Sequence, residues 1–394
     1  SYASMSGLER AGNTVLNGED PSLFSSRVKS LITGQTQRGG SLELTIDPEV
    51  QQAAWDALAG RRGSVVALNP STGAILAMVS SPSYDPNLLA SHEDGVAETA
   101  YESLSNDEAR PLDNRAIGGN LYPPGSTFKI LTVAAGLRTG KINADSEVDA
   151  PDTLTLPGTN HALSNYASES CGNGRVTLAY AFAESCNTPF AQLAMDVGDD
   201  ALADEASRWG FGSDLSVPLP VSHSVYPAND GPAQTAMAGI GQQSVRVTPL
   251  MMAMVAATVA NDGEQMAPYI ISQTLDADLQ VVSTTKPTVA RTPIDSQTAA
   301  TLTGLMQQAV SSGTGTSAQV AGVSVAGKTG TAQTGSDDGG PITWFIGFAG
   351  TDINNPTIAV AVVLDGGEQI PTTGTGGSVA GPIAASVIDA AVDQ

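Results

Sequence analysis

Ser126 stands behind Pro123, Pro124 and Gly125 at the head of an apolar run that carries Phe128, Ile130, Leu131, Val133 and Leu137. The run predicts a helix over Thr127 to Leu137, closed by Gly140, with Lys129 three positions after Ser126, one turn on and on the same face. A serine hydroxyl is a weak nucleophile until a neighbouring base takes its proton, and a lysine desolvated beside a second cation can lose its charge and serve as that base. The pair therefore points to covalent chemistry on Ser126. Taken alone it fits equally well an N-cap serine and a surface lysine.

Two further elements bear on that choice. Ser185, Cys186 and Asn187 lie between two helical runs, Thr177 to Glu184 and Pro189 to Val197, and an extended link there puts Ser185 and Asn187 on one side and Cys186 on the other. Val323 to Gln333 reads as a strand bearing Lys328, Thr329, Gly330 and Thr331, with Lys328 facing opposite to the two threonines. A ligand can run along such an edge as an added strand, while the plain alternative is an exposed edge protected by a lysine. In chain order the three elements read S-x-x-K, S-x-N, K-T-G, the signature of penicillin-binding proteins and serine β-lactamases.

The elements that must position these residues predict an α+β fold, with a central antiparallel sheet flanked by helices and built from distant segments. Ser64 to Asn69 and Ala74 to Ser80 form one hairpin across Pro70 to Gly73; Thr343 to Ala349 and Thr357 to Leu364 form a second, followed by a helix over Val379 to Val392. The middle is helix-rich, with Pro249 to Ala260 and Ser296 to Val310 its longest runs, and Asn143 to Gly174 reads as a long polar loop. Leu42, Leu44 and Ile46 alternate as a short strand, after which Asp47 and Pro48 open a helix that turns Val50, Ala54, Trp55 and Leu58 inward. Residues 1–39, with one helical pattern through Leu23, Phe24, Val28, Leu31 and Ile32, read as the remnant of an N-terminal non-catalytic module; residues 40–394 read as the catalytic domain.

Beyond its motifs the chain resembles class B penicillin-binding proteins at LTIDPEVQQ from Leu44, at PSTGAILAM and SPSYDPN within Gly63 to Asn87, at Pro111 to Ala116, and at VTPL within Gly239 to Ala253. Its start, SGLERAGNTVLNG and LFSSRVKSLITGQTQRGG, is most similar to the penicillin-binding protein A type of actinobacteria. It departs at Gly241 to Gln243, where many relatives carry a further glycine. The resemblance implies the penicillin-binding protein and β-lactamase-like fold and a D,D-transpeptidase that cross-links peptidoglycan stem peptides through an acyl-enzyme on Ser126. It assigns Lys129 as base, Ser185 as proton relay and Asn187 as the group that steadies Lys129 and the substrate amide. Lys328 supplies positive potential, Thr329 and Thr331 bind the terminal carboxylate, Gly330 leaves the substrate room, and the Ser126 and Thr331 N–H groups form the oxyanion hole. β-Lactams acylate the same serine, and no metal or organic cofactor is implied. The setting is the outer face of a bacterial membrane, with an N-terminal anchor absent from this chain and division or elongation proteins as partners.

Composition narrows the rest. The net charge of −23, with 17 Lys and Arg against 40 Asp and Glu, excludes a nucleic-acid backbone as partner. A hydrophobic fraction of 41% with 14% charged residues predicts a folded chain, and no run approaches the ~20 apolar residues of a membrane span. Cys171 and Cys186 are too few for a structural zinc site; in an exported protein they either close a disulfide or stay as two thiols. His92, His161 and His223 are scattered singly, which with the lack of a G-x-S-x-G elbow at Ser126 disfavours a Ser-His-Asp hydrolase. A class A β-lactamase needs a Glu after S-x-N that activates water, and Glu205 sits in a helix-end setting instead. A D,D-carboxypeptidase and a non-catalytic β-lactam-binding sensor or scaffold are the remaining alternatives.

Overall fold

The computed structural model describes residues 7–23, 32, 38–91, 93, 95–160, 162–166, 170–215, 217–333, 340–367 and 369–392. Its centre is a five-stranded sheet of β1 (Gly63–Leu68), β2 (Ile75–Ser81), β3 (Ser324–Ala332), β4 (Ile342–Gly350) and β5 (Ile358–Leu364). The strand order is β3-β4-β5-β1-β2 and every neighbouring pair is antiparallel, so hairpins from opposite ends of the chain meet where β5 pairs with β1. β1, β4 and β5 are continuously buried, because both faces of the sheet are covered there, whereas β2 at the edge alternates buried and half-buried residues.

Helix α1 (Pro48–Leu58) starts where predicted: Asp47 caps it, accepting from the Glu49 and Val50 N–H groups, and Pro48 takes a position whose N–H has no helical partner. Helix α2 (Gly381–Val392) packs beside α1, and together they cover one face of the sheet, over Val65, Val79, Val360 and Val362. Val50, Ala54 and Leu58 turn inward as expected, but Trp55 is 45% exposed. It falls on the solvent flank of the helix, where an indole is half covered at best. The other face packs on the helix Pro249–Ala260, capped by the Thr248 hydroxyl and buried along all of its apolar length, which marks a core helix and not a surface one. Among the described residues no helix is long and apolar enough to cross a membrane.

Asn143 to Gly174 is not a bare loop. Glu147–Ala150 pairs with Gly174–Thr177, and Thr153–Thr155 pairs with Ala162–Ser164. Strands this short leave no periodicity to read. Ser41–Leu44 belongs to a separate sheet with Ile271–Leu275 and Val281–Thr284. The helical pattern expected from Phe24 to Leu31 lies outside the described residues, as do His92 and His161.

Candidate active site

Ser126 lies within a 3-10 turn, Gly125–Phe128, that leads into the helix Lys129–Arg138, and so it is not an N-cap. Two glycine contacts hold this turn. Gly125 has φ +54°, and a Cβ there would sit 2.8 Å from Thr331 O and 3.2 Å from Thr331 N, so the backbone beside Ser126 lies directly against β3. On the far side the Gly125 N–H donates to Gly241 O at 3.0 Å, and Gly241, with φ +73°, leaves no room for a Cβ against Gly125. The unusual Gly241 loop is thus a buttress of the turn that carries Ser126.

The S-x-N link is a turn and not an extended segment. The helix Leu178–Ala183 ends with Ser185 N–H donating to Phe182 O at 3.2 Å and Cys186 N–H to Ala181 O at 3.0 Å, a Schellman closure that puts Ser185 in the left-handed region at φ +58°. Glycine is the usual residue there; a serine costs about 1–3 kcal/mol of local strain, and it supplies a hydroxyl at the bottom of the cleft. Cys186 is buried and joined to Cys171 by a disulfide, which ties the turn to the segment before Gly174.

Asn187 does not cap the helix it precedes, Thr188–Val197, with its own side chain. Its Oδ1 accepts from Lys129 Nζ at 3.0 Å and its Nδ2 donates to Ser164 O at 3.2 Å. The capping falls to Asn165, whose Oδ1 accepts from the N–H groups of Asn187 (2.8 Å) and Thr188 (3.2 Å). Asn165 was not visible as a site residue in the sequence, because the residue it caps is distant in the chain.

Lys129 and Lys328 are both fully buried. Lys129 Nζ donates to Ser185 O (2.8 Å), Cys186 O (2.8 Å) and Asn187 Oδ1 (3.0 Å). Lys328 Nζ donates to Ser185 Oγ at 2.7 Å and to Thr329 O at 3.1 Å, and Ser185 Oγ is 3.5 Å from Lys129 Nζ, so one hydroxyl stands between two amines. Burial, and then the charge of Lys328, hold Lys129 well below the ordinary lysine range; its carbonyl acceptors oppose this but do not replace water for an ammonium. Burial brings Lys328 down to about 7, with Glu184 pulling the other way. In this resting arrangement Lys129 is bonded to the S-x-N turn, and among the described residues it makes no hydrogen bond to Ser126.

Strand alternation falls as predicted. Lys328 reaches Ser185, whereas Thr329 Oγ1 lies 2.6 Å from Thr314 Oγ1 and Thr331 Oγ1 accepts from Gly376 N–H at 3.2 Å. Thr314, flanked by Gly313 and Gly315, is a further hydroxyl at this end of the cleft that sequence reading missed. Gly330 corrects an expectation. Its absent Cβ would point at Pro124 O (2.7 Å) and Thr127 Cγ2 (3.0 Å), so the room it leaves is taken by the turn that carries Ser126. Glu205 is fully buried and accepts from Arg138 Nε at 2.6 Å and Trp209 Nε1 at 2.8 Å, a carboxylate held in an ion pair and closed off from solvent. His223 pairs with Asp214 on the surface.

Residues 63–389 match the family model of the penicillin binding protein transpeptidase domain. The chain belongs to the penicillin-binding transpeptidases. Residues 1–42 match the penicillin binding protein A dimerisation domain. This transpeptidase is 45% identical over 401 residues to the peptidoglycan D,D-transpeptidase PbpA of Mycolicibacterium smegmatis, covering 99% of this chain and 80% of that one. Penicillin-binding protein A of M. tuberculosis, solved as a ceftriaxone acyl-enzyme complex, superimposes with a TM-score of 0.93 at 43% identity, over 98% of this chain and 88% of that one. The D,D-transpeptidase domain of a peptidoglycan glycosyltransferase from Eggerthella lenta gives 0.83 at 32% identity, over 98% and 87%. The chain is a serine-type peptidoglycan D,D-transpeptidase and a β-lactam target.

Proposed function

We propose that this transpeptidase works through Ser126, with Lys129 as its base. Ser126 Oγ attacks the carbonyl between two D-alanines of a donor stem peptide while its proton passes to Lys129. The C–N bond then breaks, the proton leaves on the departing D-alanine amine, and an ester on Ser126 remains. A neighbouring peptide's amine attacks that ester, the C–O bond breaks, and Ser126 takes back a proton by the same relay. The observation that carries this is the Ser185 hydroxyl set between the amines of Lys129 and Lys328, which gives a proton path and links all three motifs. Asn187 orients Lys129, the N–H groups of Ser126 and Thr331 receive the oxyanion, and the hydroxyls of Thr329 and Thr331 bind the terminal carboxylate. Each oxyanion donor is worth roughly 3 kcal/mol in systems of this kind.

In the same reading residues 1–39 are part of a non-catalytic module and 40–394 the catalytic domain; the dimerisation-domain match over residues 1–42 supports the first, and the pairing of Ser41–Leu44 with Ile271–Leu275 supports placing that strand in the second. The catalytic domain works on the outer face of the membrane, held by an N-terminal anchor and recruited by division or elongation proteins.

The test is acyl transfer itself. With a donor ending in D-alanyl-D-alanine and a primary amine in excess, mass spectrometry is expected to find free D-alanine and a new amide in equal amounts. Hydrolysis alone would make the protein a carboxypeptidase, and no turnover would leave a β-lactam-binding scaffold.

A pH dependence follows from Lys328. Its role requires the charged form, burial brings it to about 7, and it therefore loses its proton as pH rises through 7. The second-order rate of acylation by benzylpenicillin, which reports the free enzyme, is expected to fall above pH 7 with a log slope approaching about −1. A flat profile between pH 6 and 9 would contradict the assignment.

A further inference from the structure

Asn187 can turn either end of its amide to Lys129, and the two ends differ in what they do to a base. Burial and the charge of Lys328 favour a neutral Lys129, whose amine has two hydrogens and one lone pair. An NH2 group facing Nζ would donate into the lone pair that has to take the Ser126 proton, whereas an oxygen accepts from Nζ and leaves that pair free. The end presented is fixed one residue further out. Asn187 Nδ2 donates to Ser164 O at 3.2 Å, so Oδ1 is the atom left for Lys129 Nζ at 3.0 Å. A flipped amide would lose both bonds and set one oxygen against another.

Ser164 O can select the amide's orientation only while Asn187 is held beside it. The hairpin of Thr153–Thr155 with Ala162–Ser164 is anchored in the core through the buried Leu156 and Leu163, and near its start Pro151 O accepts from Thr188 Oγ1 at 2.7 Å. Asn165, 6% exposed, closes the arrangement. Its Oδ1 accepts from the Asn187 N–H at 2.8 Å and the Thr188 N–H at 3.2 Å, donors at the start of the helix Thr188–Val197 that have no helical acceptor. One side-chain oxygen therefore fixes the Asn187 backbone against the end of the hairpin. The Cys171–Cys186 disulfide ties the preceding residue of the turn to a position six residues beyond Asn165.

We propose that Asn165 is a positioning residue for the base: by holding Asn187 against Ser164 it keeps the Asn187 oxygen turned to Lys129 and the Lys129 lone pair free for the Ser126 proton. This rests on the reading of Lys129 as base given above. Asn165 touches neither substrate nor Ser126 in this scheme and acts only through Asn187 and Lys129.

The test reads the second-order rate of acylation by benzylpenicillin, with the thermal midpoint of each variant. Asn165→Ala is expected to slow acylation on the order of 30-fold, less than the ~10²-fold of a displacement near 1 Å, because Ser185 O and Cys186 O keep their bonds to Lys129. Losing a cap should lower the midpoint by a few degrees at most and leave the protein folded. Asn165→Asp keeps an acceptor oxygen in the same place and is expected to recover to within about fivefold of wild type, the remainder arising because a nearby carboxylate favours the ammonium form of Lys129. In the Lys129→Ala background the change Asn165→Ala should cost less than about threefold further, since residues that act through one group are not additive. A part in stability alone would move the midpoint without this coupling. Wild-type acylation by Asn165→Ala, an undiminished loss in the Lys129→Ala background, or a folded Asn165→Asp as slow as the alanine variant would overturn the positioning role and leave the parent reading in place. Acylation of Lys129→Ala at the wild-type rate would remove the parent reading and this one with it.

Discussion

Replacing Lys129 with alanine is expected to slow acylation by benzylpenicillin about 10³- to 10⁴-fold, the upper part of the range for positioned acid–base groups. Lys129 is fully buried and set against the Ser185–Asn187 turn, so no solvent molecule at the surface can take over its work. Its removal also strands three acceptors, Ser185 O, Cys186 O and Asn187 Oδ1, each of which costs free energy when left unpaired in a buried place. Lys129→Arg separates the two roles a cation can have there. Arginine keeps the charge but cannot lose it, so a comparable loss of rate is expected if Lys129 is a base. Stopped-flow acylation of both variants checks this, and an arginine variant within tenfold of wild type would make Lys129 an electrostatic group only.

Gly330→Ala is expected to lower the same rate by about 10²-fold, the effect of a displacement near 1 Å between reacting groups. The added methyl would meet Pro124 O at 2.7 Å, Thr127 Cγ2 at 3.0 Å and Trp344 Cβ at 3.1 Å, all of them in the packing between β3 and the turn that carries Ser126. Pro124 cannot yield freely, since Trp344 Nε1 donates to the neighbouring Pro123 O at 3.0 Å and Gly241 backs the turn from behind. Overpacking of this kind also costs about 1–3 kcal/mol of stability. Acylation rate and thermal midpoint measured together distinguish the effects: a folded variant that acylates at the wild-type rate would show that this contact does not set the geometry of the nucleophile.

These residues differ in how far they could be read from the chain. The order S-x-x-K, S-x-N, K-T-G carried Ser126, Lys129 and Lys328, because each element's setting, apolar run or strand, is local. Pro249 to Ala260 was legible to its ends, since Thr248 and Pro249 form a cap and an apolar run follows. Ser185 was named by its motif but its conformation was not legible, because serine gives no signal for a left-handed closing position that glycine normally takes, and the link was read as extended. Asn165 and Thr314 act on partners far away in sequence, at Asn187 and Thr329, and no periodicity connects such pairs. Gly330 was recognised, but the purpose of its missing side chain depends on what packs above it, which only the fold supplies. The short strands within Asn143 to Gly174 fall below the length at which alternation can be told from chance.

The most direct measurement is intact mass after incubation with benzylpenicillin, followed for hours on the wild type and on Ser126→Ala, with peptide mapping of the adduct. The account predicts a single long-lived adduct of one penicillin on the peptide containing Ser126, absent from the folded alanine variant. An adduct that persists in Ser126→Ala, or antibiotic consumed rapidly with no lasting adduct, would contradict it.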